Sequence, residues 1–593
     1  MNINTQTKTN NNEKETYNKQ NNFSEPYTFF KLPIEYVKNN ELAKHIVDDL
    51  EILKTVNDDT QSIYDNLFQN QTKLGESCSK KWAKCFTTDK EFLKDSQKIY
   101  KSLKNFPYDK AVIENMINSY NNIKKDENFL DKYQYVDIEK LKWANKSTIF
   151  LQILSYYNIS SPVINLITPF SILFIPFLIL KLMHLPITFA SYKEILFEQI
   201  KKNSFGQLFF NFNDISIYQK IYSFLCIGLY VYNIYQNVIS CYKFYNNTYF
   251  ILSQFDIMNT YLEYTIQKIT YFSNIIQTHN TYQLFKKDID DNKEELSKLY
   301  KSLKCIKKEC TFGEKARDIG FIMKHFYLIY DSDKINRIIQ YSLGFHGYID
   351  NIIGLYQNYE DKKINTISFI NKNKTTLSLK ESYHPNIKNN IIKNNISLKK
   401  NQIITGPNAA GKTTILKSTI INLILSQQFG MGFYSSGKIS PFDFIHCYIN
   451  IPDTCSRDSL FQAEARRCKN ILDEIKNNPN KKHFCIFDEL YSGTNPYEAV
   501  SSAFSYLKFI SENKNVKFMI TTHYVKLCEL LKNKEIKNIT NKNMDTKIIN
   551  DIPKYNYKLT NGISSIKGGV SVLKQLNYPS TILNLTKTIL NNI

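Results

Sequence analysis

A glycine-rich stretch in the second half of the chain carries residue types that can bind phosphate groups. It reads Thr405-Gly406-Pro407-Asn408-Ala409-Ala410-Gly411-Lys412-Thr413-Thr414 and fits the pattern G-x-x-x-x-G-K-[ST]. The glycines let successive backbone N–H groups turn toward phosphate oxygens, Lys412 can reach the β- and γ-phosphates, and the Thr413 hydroxyl can bind Mg²⁺. An apolar pair precedes the stretch and a helical pattern follows it at 415–425. This context predicts a strand, a loop and a helix whose N-terminus faces the anion.

Two further segments end in polar residues that suit phosphoryl transfer. The first, His483–Glu489, has the pattern of a buried strand and ends in two carboxylates. Because phosphoryl transfer depends mainly on positioning and charge neutralisation, Asp488 is predicted to hold Mg²⁺, directly or through water, and Glu489 to orient and polarise the attacking water. The second, residues 516–523, is a strand pattern that ends in His523, which can reach the γ-phosphate if the two strands are neighbours. Together these residues predict an enzyme that hydrolyses ATP with Mg²⁺ as cofactor.

The composition restricts the class of protein less than the motifs do. With 593 residues and a hydrophobic fraction of 42%, the chain is long enough for several folded domains. Its formal net charge of +21 is carried almost wholly by lysine. Such a charge permits contact with nucleic acid or anionic lipid but requires neither. The 11 cysteines show no paired zinc-type spacing, so we expect free thiols in a reducing, intracellular compartment.

Two uncharged runs interrupt the otherwise amphipathic helical pattern of the first half. Residues 147–180 contain no charged side chain, the part from Val163 to Leu180 is strongly apolar, and a second uncharged run extends from Ile221 to Tyr242. Each is close to the length of a membrane-spanning helix. The first contains proline and the second is rich in tyrosine, which suits a membrane interface as well as a protein core. Two interpretations stay open: a membrane hairpin with the phosphate-binding part on the cytosolic side, or buried or interfacial helices.

Taken together, the motifs of the second half resemble those of the MutS mismatch-repair ATPases. The matching stretches are 404–414, 487–494 and 522–524, with Tyr383-His384-Pro385 similar to the opening motif of that domain and Gly562, 569–573 and 576–579 similar to its closing element. The resemblance covers residues from about 366 to about 590. The sequence of residues 492–498 is closer to that of a MutS-like side branch, some members of which carry membrane segments.

The resemblance implies roles that the residues alone do not. MutS ATPases are dimers in which each nucleotide is closed over by a serine of the partner, and Ser459 stands at the position of that serine. Gly493-Thr494-Asn495 would carry the interface loop after the two carboxylates, so Asn495 is expected beside the nucleotide. The family therefore implies a homodimer that closes on ATP and binds DNA in repair or recombination.

Three departures from the family pattern limit what the resemblance implies. The nearest match to the aromatic residue that stacks on adenine is Ile391, which leaves a strict preference for ATP open. The usual Gly-Arg before the serine is Arg457-Asp458 here. The mismatch-reading motif Gly-x-Phe-Tyr-Glu is not found, although Phe23-Ser24-Glu25 matches part of it. Since no aromatic wedge is evident, we expect DNA binding that is not selective for mismatches.

These observations predict an α plus α/β protein, in which a long-helix core and lever region precedes an α/β P-loop ATPase domain of the ABC-like kind. The expected divisions are a disordered tail at 1–25, a first helical core segment at 26–146, an apolar helical region at 147–250, core and lever helices at 251–365, and a MutS-type ATPase domain with C-terminal helices at 366–593. The alternative to a DNA-binding repair enzyme is a membrane-anchored mechanochemical ATPase that lacks mismatch recognition.

Overall fold

The computed structural model describes most of the chain after its first 28 residues. The described residues are 29–56, 60–182, 189–202, 210, 216–306, 312–370, 375–449, 460–533, 536, 538–549, 552–564, 566 and 569–592. The tail predicted at 1–25, the Phe23-Ser24-Glu25 segment, Arg457-Asp458 and Ser459 lie outside them. The contacts between Cα atoms divide the described chain into two compact units. One falls within Ala111–Ile266 and Glu295–Ile339, and the other within Glu25–Lys110, Gln267–Glu294 and Gln340–Ile593. The consecutive domain boundaries expected from the sequence stay a prediction.

Most of the described residues before position 361 are helical, as the amphipathic pattern predicts. The helices of this part are α1 (Lys44–Asp49), α2 (Ile63–Phe68), α3 (Lys73–Trp82), α4 (Lys90–Lys101), α5 (Lys110–Lys124), α6 (Phe129–Lys132), α7 (Thr148–Leu182), α8 (Phe189–Lys202), α9 (Ile217–Ile276), α10 (Gln283–Leu303), α11 (Phe312–Asp331) and α12 (Asp333–Glu360). Short 3-10 helices cover Pro33–Tyr36, Glu139–Lys146 and Asn280–Tyr282, and β1 (Asn39–Glu41) pairs antiparallel with β2 (Cys85–Thr87).

From Asn365 onward strands and helices alternate. The strands are β3 (Asn365–Phe369), β4 (Leu377–Ser382), β5 (Asn394–Ser397), β6 (Asn401–Thr405), β7 (Met431–Gly432), β8 (Ser436–Ile439), β9 (Phe444–Tyr448), β10 (His483–Asp488), β11 (Val516–Thr522), β12 (Ile539–Ile549) and β13 (Ile552–Asn561). The helices are α13 (Lys412–Gln428), α14 (Leu460–Asn477), α15 (Pro496–Ser511), α16 (Val525–Asn533), α17 (Gly569–Gln575) and α18 (Ser580–Asn592). The predicted α plus α/β fold class is confirmed.

One sheet brings the sequence motifs together. Its six strands have the order β13-β12-β6-β11-β10-β9, and a second sheet has the order β5-β4-β8-β3-β7. Strands β12, β6, β11, β10 and β9 are parallel neighbours, so the carboxyl ends of β6, β10 and β11 meet at one edge. The register pairs Asp488 with Thr521 and Thr522 with Thr405. The expectation that the strand before His523 lies beside the strand before Glu489 is therefore confirmed.

The apolar runs lie on α7 and α9. The second run and the helical segment that follows it form a single helix of 60 residues. Nothing in this part of the chain breaks the helix, because it contains no proline and a single glycine, Gly228. The helices contact one another, since the Tyr230 hydroxyl donates to the backbone oxygen of Asn165 at 3.0 Å. Among the residues that the structure describes, α9 is the one helix that is long and apolar enough, by length and composition, to cross a membrane.

Candidate active site

The phosphate loop follows β6, all five residues of which are buried, and it ends at the first residue of α13. Gly411 has a φ of +88°, a backbone conformation that L-residues with a side chain rarely adopt. A Cβ atom at this position would also lie 3.1 Å from Cδ1 of Tyr557. The loop therefore needs glycine at this position for both its backbone and its packing. Helix α13 begins directly after it, so the N–H groups of its first turn are available to an anion.

The ammonium group of Lys412 is held inside the loop. Its side chain is only 6% exposed, and its Nζ donates hydrogen bonds to the backbone oxygens of Gly406 at 3.0 Å and Pro407 at 3.3 Å. It also lies 3.3 Å from Oδ1 of Asn408 and 3.5 Å from Oε1 of Glu489. A buried ammonium group with these oxygen partners is in place to exchange some of them for phosphate oxygens.

Thr413 and Asp488 form the candidate cation site. The Thr413 hydroxyl donates to Oδ2 of Asp488 at 2.7 Å, and the Thr521 hydroxyl donates to Oδ1 of the same carboxylate. A hydroxyl and a carboxylate are hard oxygen ligands, which Mg²⁺ accepts together with phosphate oxygens and water. These residues therefore fit the predicted ion. Among the described residues no group of three or more His, Cys, Asp or Glu side chains could hold a metal by itself.

Glu489 and His523 lie together at the carboxyl ends of β10 and β11. Nδ1 of His523 is 3.7 Å from Oε1 of Glu489, and the backbone N–H of Glu489 donates to Oγ1 of Thr521 at 3.2 Å. The contact with His523 lowers the pKa of the Glu489 carboxyl, burial opposes this effect, and the positive charge of Lys412 lowers the pKa further. Glu489 is consequently ionised at neutral pH and can accept a hydrogen bond from a water molecule.

A cavity of about 640 Å³ opens beside the phosphate loop. Its wall includes Lys412, Thr413, Asp488, Glu489 and, further out, Ile391. Asn408, Ala409, Gly411 and Thr414 of the loop line the same cavity, and the half-buried His384 of the opening motif does so as well. Burial and the charge of Lys417 lower the pKa of His384 to about 4, so its ring is neutral at pH 7.

Tyr557 also lines this cavity and is absent from the sequence-based site. It lies on β13, beside Gly411, and is 42% exposed, as is Ile391. Its ring gives this cavity an aromatic side chain, which Ile391 does not provide. No local motif marks this tyrosine, because the antiparallel pairing of β13 with β12 brings it to the loop.

A second cavity, of about 920 Å³, also borders the phosphate loop. It is lined by Gly406, Pro407, Asn408, Glu489 and His523. Tyr497 of α15 is 88% exposed at its wall. The phosphate-loop residue Ala410 is itself buried.

Comparison with known proteins finds relatives of the second half of the chain. A family model described as MutS domain V matches residues 402–593. The resemblance to MutS ATPases that the sequence motifs indicate is therefore confirmed over residues 402–593.

The relatives are similar to this chain over that region. A protein named DNA mismatch repair protein MutS from Persephonella marina is 31% identical over 221 residues, which are 36% of this chain and 25% of the relative. Proteins with the same name from Finegoldia magna and Clostridium botulinum are 31% identical over 193 residues and 30% identical over 253 residues. These matches cover 32% and 41% of this chain and 22% and 26% of the relatives. The chain therefore spans about a quarter of the length of the curated relatives it matches.

Two residues that the MutS resemblance singles out have different outcomes. Ser459 lies outside the described residues, just before α14. Asn495 is the N-cap of α15, where its side chain accepts a hydrogen bond from the backbone N–H of Glu498 at 3.0 Å. A cap of this kind stabilises the helix start, so the geometry of the single chain gives Asn495 a structural use. Its contact with nucleotide stays a prediction.

Proposed function

We propose that this chain is a Mg²⁺-dependent ATPase of the MutS type. The observation that supports the proposal is the convergence of Lys412, Thr413, Asp488, Glu489 and His523 on one loop, although they come from three separate segments of the sequence. These side chains supply the positioning and the charge neutralisation that phosphoryl transfer requires. The match to MutS domain V over residues 402–593 supports the same activity.

The side chains divide the work by their charge and position. Lys412 would exchange the backbone oxygens of the loop for the β- and γ-phosphate oxygens of ATP. Mg²⁺ would neutralise charge on those phosphates, and the Thr413 hydroxyl and the Asp488 carboxylate are the groups that would hold it. Glu489 would accept a hydrogen bond from the attacking water and align it with the γ-phosphate, while His523 stabilises the charged form of Glu489.

Two substitutions test the ATPase separately for binding and for hydrolysis. Lys412→Ala should abolish ATP binding, because the phosphate charge loses its main side-chain partner. Glu489→Gln should bind ATP normally and hydrolyse it at least about a hundredfold more slowly, because only water activation is lost. Exposed Glu512 at the end of α15 provides the control substitution Glu512→Gln, which should change neither. Hydrolysis by Glu489→Gln at the wild-type rate would contradict the role of this carboxylate.

We also propose that ATP closes a homodimer. Part of the support is the cavity of about 920 Å³ lined by Gly406, Glu489 and His523, which leaves room beside the loop for a residue of a partner. In the MutS arrangement, Ser459 of a second copy would enter there. Glu489→Gln should therefore accumulate as a dimer in the presence of ATP and Mg²⁺, as measured by sedimentation. A variant that binds ATP but stays monomeric at all concentrations would rule out this closure.

DNA is the proposed ligand of the ATP-closed dimer. The relatives are named DNA mismatch repair proteins, and the net charge of +21 suits contact with phosphates. Because the mismatch-reading motif is not found in the sequence, we expect binding that falls steeply with salt and does not distinguish a mispaired from a matched duplex. Titration of both duplexes across a range of salt concentrations measures this. A clear preference for the mispaired duplex at physiological salt would contradict the expectation.

A membrane-anchored ATPase is the second candidate, and the exposure of the apolar runs favours it. On α7, Val163, Leu166 and Phe174 are 57%, 54% and 64% exposed, and on α9, Ile221 and Leu225 are 59% and 57% exposed. Exposed apolar side chains over such a length are costly in water. If these helices lie in a bilayer, the protein should stay in the membrane pellet after an alkaline carbonate wash. Complete release into the supernatant would leave the DNA-binding enzyme as the better function.

A further inference from the structure

A buried carboxylate of α14 binds the loop that follows the two acidic residues of β10. Glu464 is 2% exposed. Its Oε1 accepts hydrogen bonds from the backbone N–H of Ser492 at 3.1 Å and from the Ser492 hydroxyl at 2.9 Å, and its Oε2 accepts one from the backbone N–H of Gly493 at 3.1 Å. Hydrogen bonds to an ionised acceptor are about twice as strong as neutral ones. The carboxylate therefore fixes this loop to α14.

The same loop has a backbone that needs such restraint. Glu489 and Tyr491 both have positive φ values, of 51° and 60°, although neither is glycine. Such a backbone conformation is strained in a residue with a side chain, and it persists only where the surroundings hold it in place. Two further hydrogen bonds hold the loop: the Tyr448 hydroxyl accepts from the backbone N–H of Tyr491 at 3.2 Å, and the Thr521 hydroxyl accepts from the backbone N–H of Glu489. Glu464 thus holds the far end of a strained segment that begins at Glu489.

The loop also packs against α14 without space to spare. A Cβ atom added at Gly493 would lie 2.9 Å from the backbone nitrogen of Phe461 and 2.8 Å from Cγ of Leu460. The first contact is with backbone, which cannot move aside as a flexible side chain can. The start of α14 and the Ser492–Gly493 segment are consequently in direct contact, so a shift of one displaces the other.

We infer that Glu464 is a positioning residue for ATP hydrolysis. Through its three hydrogen bonds to Ser492 and Gly493, it holds the strained loop in the conformation that aims the Glu489 carboxylate at the attacking water. This inference rests on the proposed ATPase function. Glu464 itself lines neither of the two cavities beside the phosphate loop.

Kinetics of Glu464→Gln test the inference. The amide keeps one acceptor oxygen for Ser492 but turns an NH₂ group toward the N–H of Gly493, so the loop loses one restraint. We expect kcat to fall about tenfold while KM for ATP and the affinity for ADP change less than about twofold. Glu474→Gln, an exposed glutamate on the same helix, is the matched control and should behave as wild type. Ser492→Ala removes a single hydrogen bond to the same carboxylate and should cause a smaller fall in kcat.

A double-mutant cycle separates positioning from general stability. In a Glu489→Gln background, single-turnover hydrolysis should not slow further when Glu464→Gln is added, because the carboxylate being positioned is already absent. An equal tenfold loss in both backgrounds would overturn the inference and leave Glu464 a structural residue. The same conclusion would follow if kcat of Glu464→Gln and of Ser492→Ala equalled that of wild type. Absence of hydrolysis by the wild-type protein would instead refute the proposed ATPase.

Discussion

At the scale of single residues, His523 favours the charged form of the Glu489 carboxyl. Its approach to within 3.7 Å of the carboxylate lowers the pKa of Glu489, against the effect of burial. A carboxylate with a lowered pKa is a weak base. Glu489 is therefore better suited to orienting and polarising a water molecule than to removing its proton before attack, which agrees with a loose transition state in phosphoryl transfer.

Tyr557 supplies the residue-scale prediction about the nucleotide base. Its ring lines the cavity beside Gly411, where it can stack on a base. Since stacking of a base on an aromatic side chain contributes about 1–3 kcal/mol, Tyr557→Ala should weaken ATP binding at least about fivefold. Tyr557→Phe keeps the ring and should bind as wild type. Inorganic tripolyphosphate, which has no base, should bind equally to all three proteins. Unchanged ATP affinity in Tyr557→Ala would exclude this stacking.

The sequence predicted those site residues that a local sequence pattern marks. The phosphate loop and the pair Asp488-Glu489 each follow a short apolar strand, so their place at a sheet edge could be inferred locally. Tyr557 and Glu464 could not be found in this way. Their relevance depends on the strand order and on the packing of α14 against a distant loop, which no spacing in the sequence encodes.

At the scale of elements, the far end of α13 is tied to a segment more than three hundred residues earlier. Gln428 is buried, and its Nε2 donates to the backbone oxygens of Trp82 at 2.7 Å and Cys85 at 2.9 Å. Its Oε1 accepts from the Tyr64 hydroxyl at 2.8 Å. The helix that begins at the phosphate loop thus ends in a buried polar contact with α2, α3 and β2.

Removal of this contact gives the element-scale prediction. Gln428→Ala leaves two backbone oxygens and the Tyr64 hydroxyl buried without their partner, so the free energy of unfolding should fall by about 2–4 kcal/mol. Gln357→Ala, at an exposed position of α12, is the control and should change stability by less than about 0.5 kcal/mol. Urea denaturation of the three proteins measures both values. Equal midpoints for Gln428→Ala and wild type would show that the contact contributes little.

The lengths of the elements were less predictable than their existence. The helical pattern at 415–425 became a helix from Lys412 to Gln428, because the buried glutamine contacts at its end extend it beyond the apolar residues. The separate apolar and amphipathic segments after position 220 became the single helix α9. Periodicity indicates which face of a helix is apolar, but tertiary contacts and the absence of breakers determine where it ends.

At the scale of the whole molecule, the positive charge and the exposed apolar side chains favour different partners. The chain has a net charge of +21, and it also exposes apolar side chains on α7 and α9. Binding to DNA would account for the net charge and would leave the exposed apolar side chains without a partner. A bilayer that contains anionic lipid would explain both, since lysine is attracted to such surfaces and apolar helices enter them.

The orientation of α7 and α9 gives the prediction at this scale. In a hairpin formed by Val163–Leu180 and Ile221–Tyr242, the connecting segment lies on the side away from ATP, because the phosphate loop follows both runs. That segment holds Lys181, Lys193, Lys201, Lys202 and Lys220 against Glu194, Glu198 and Asp214, which opposes the positive-inside tendency. Because the lysines oppose it, insertion of this hairpin into a membrane would depend on the length and apolar character of the two runs. The test must therefore measure on which side of the membrane the connecting segment lies.

If α7 and α9 form a membrane hairpin, a tag inserted near Ser204 should be protected from protease in sealed vesicles, while tags at both termini are cleaved. Protection arises because a helix of about 20 apolar residues spans the hydrocarbon core of a bilayer, and two such helices return the chain to its starting side. Detergent provides the control, since it should expose the tag near Ser204 without changing cleavage at the termini. Cleavage at all three positions in intact vesicles would show that α7 and α9 do not cross the membrane, and these helices would then lie at its interface or against a partner protein.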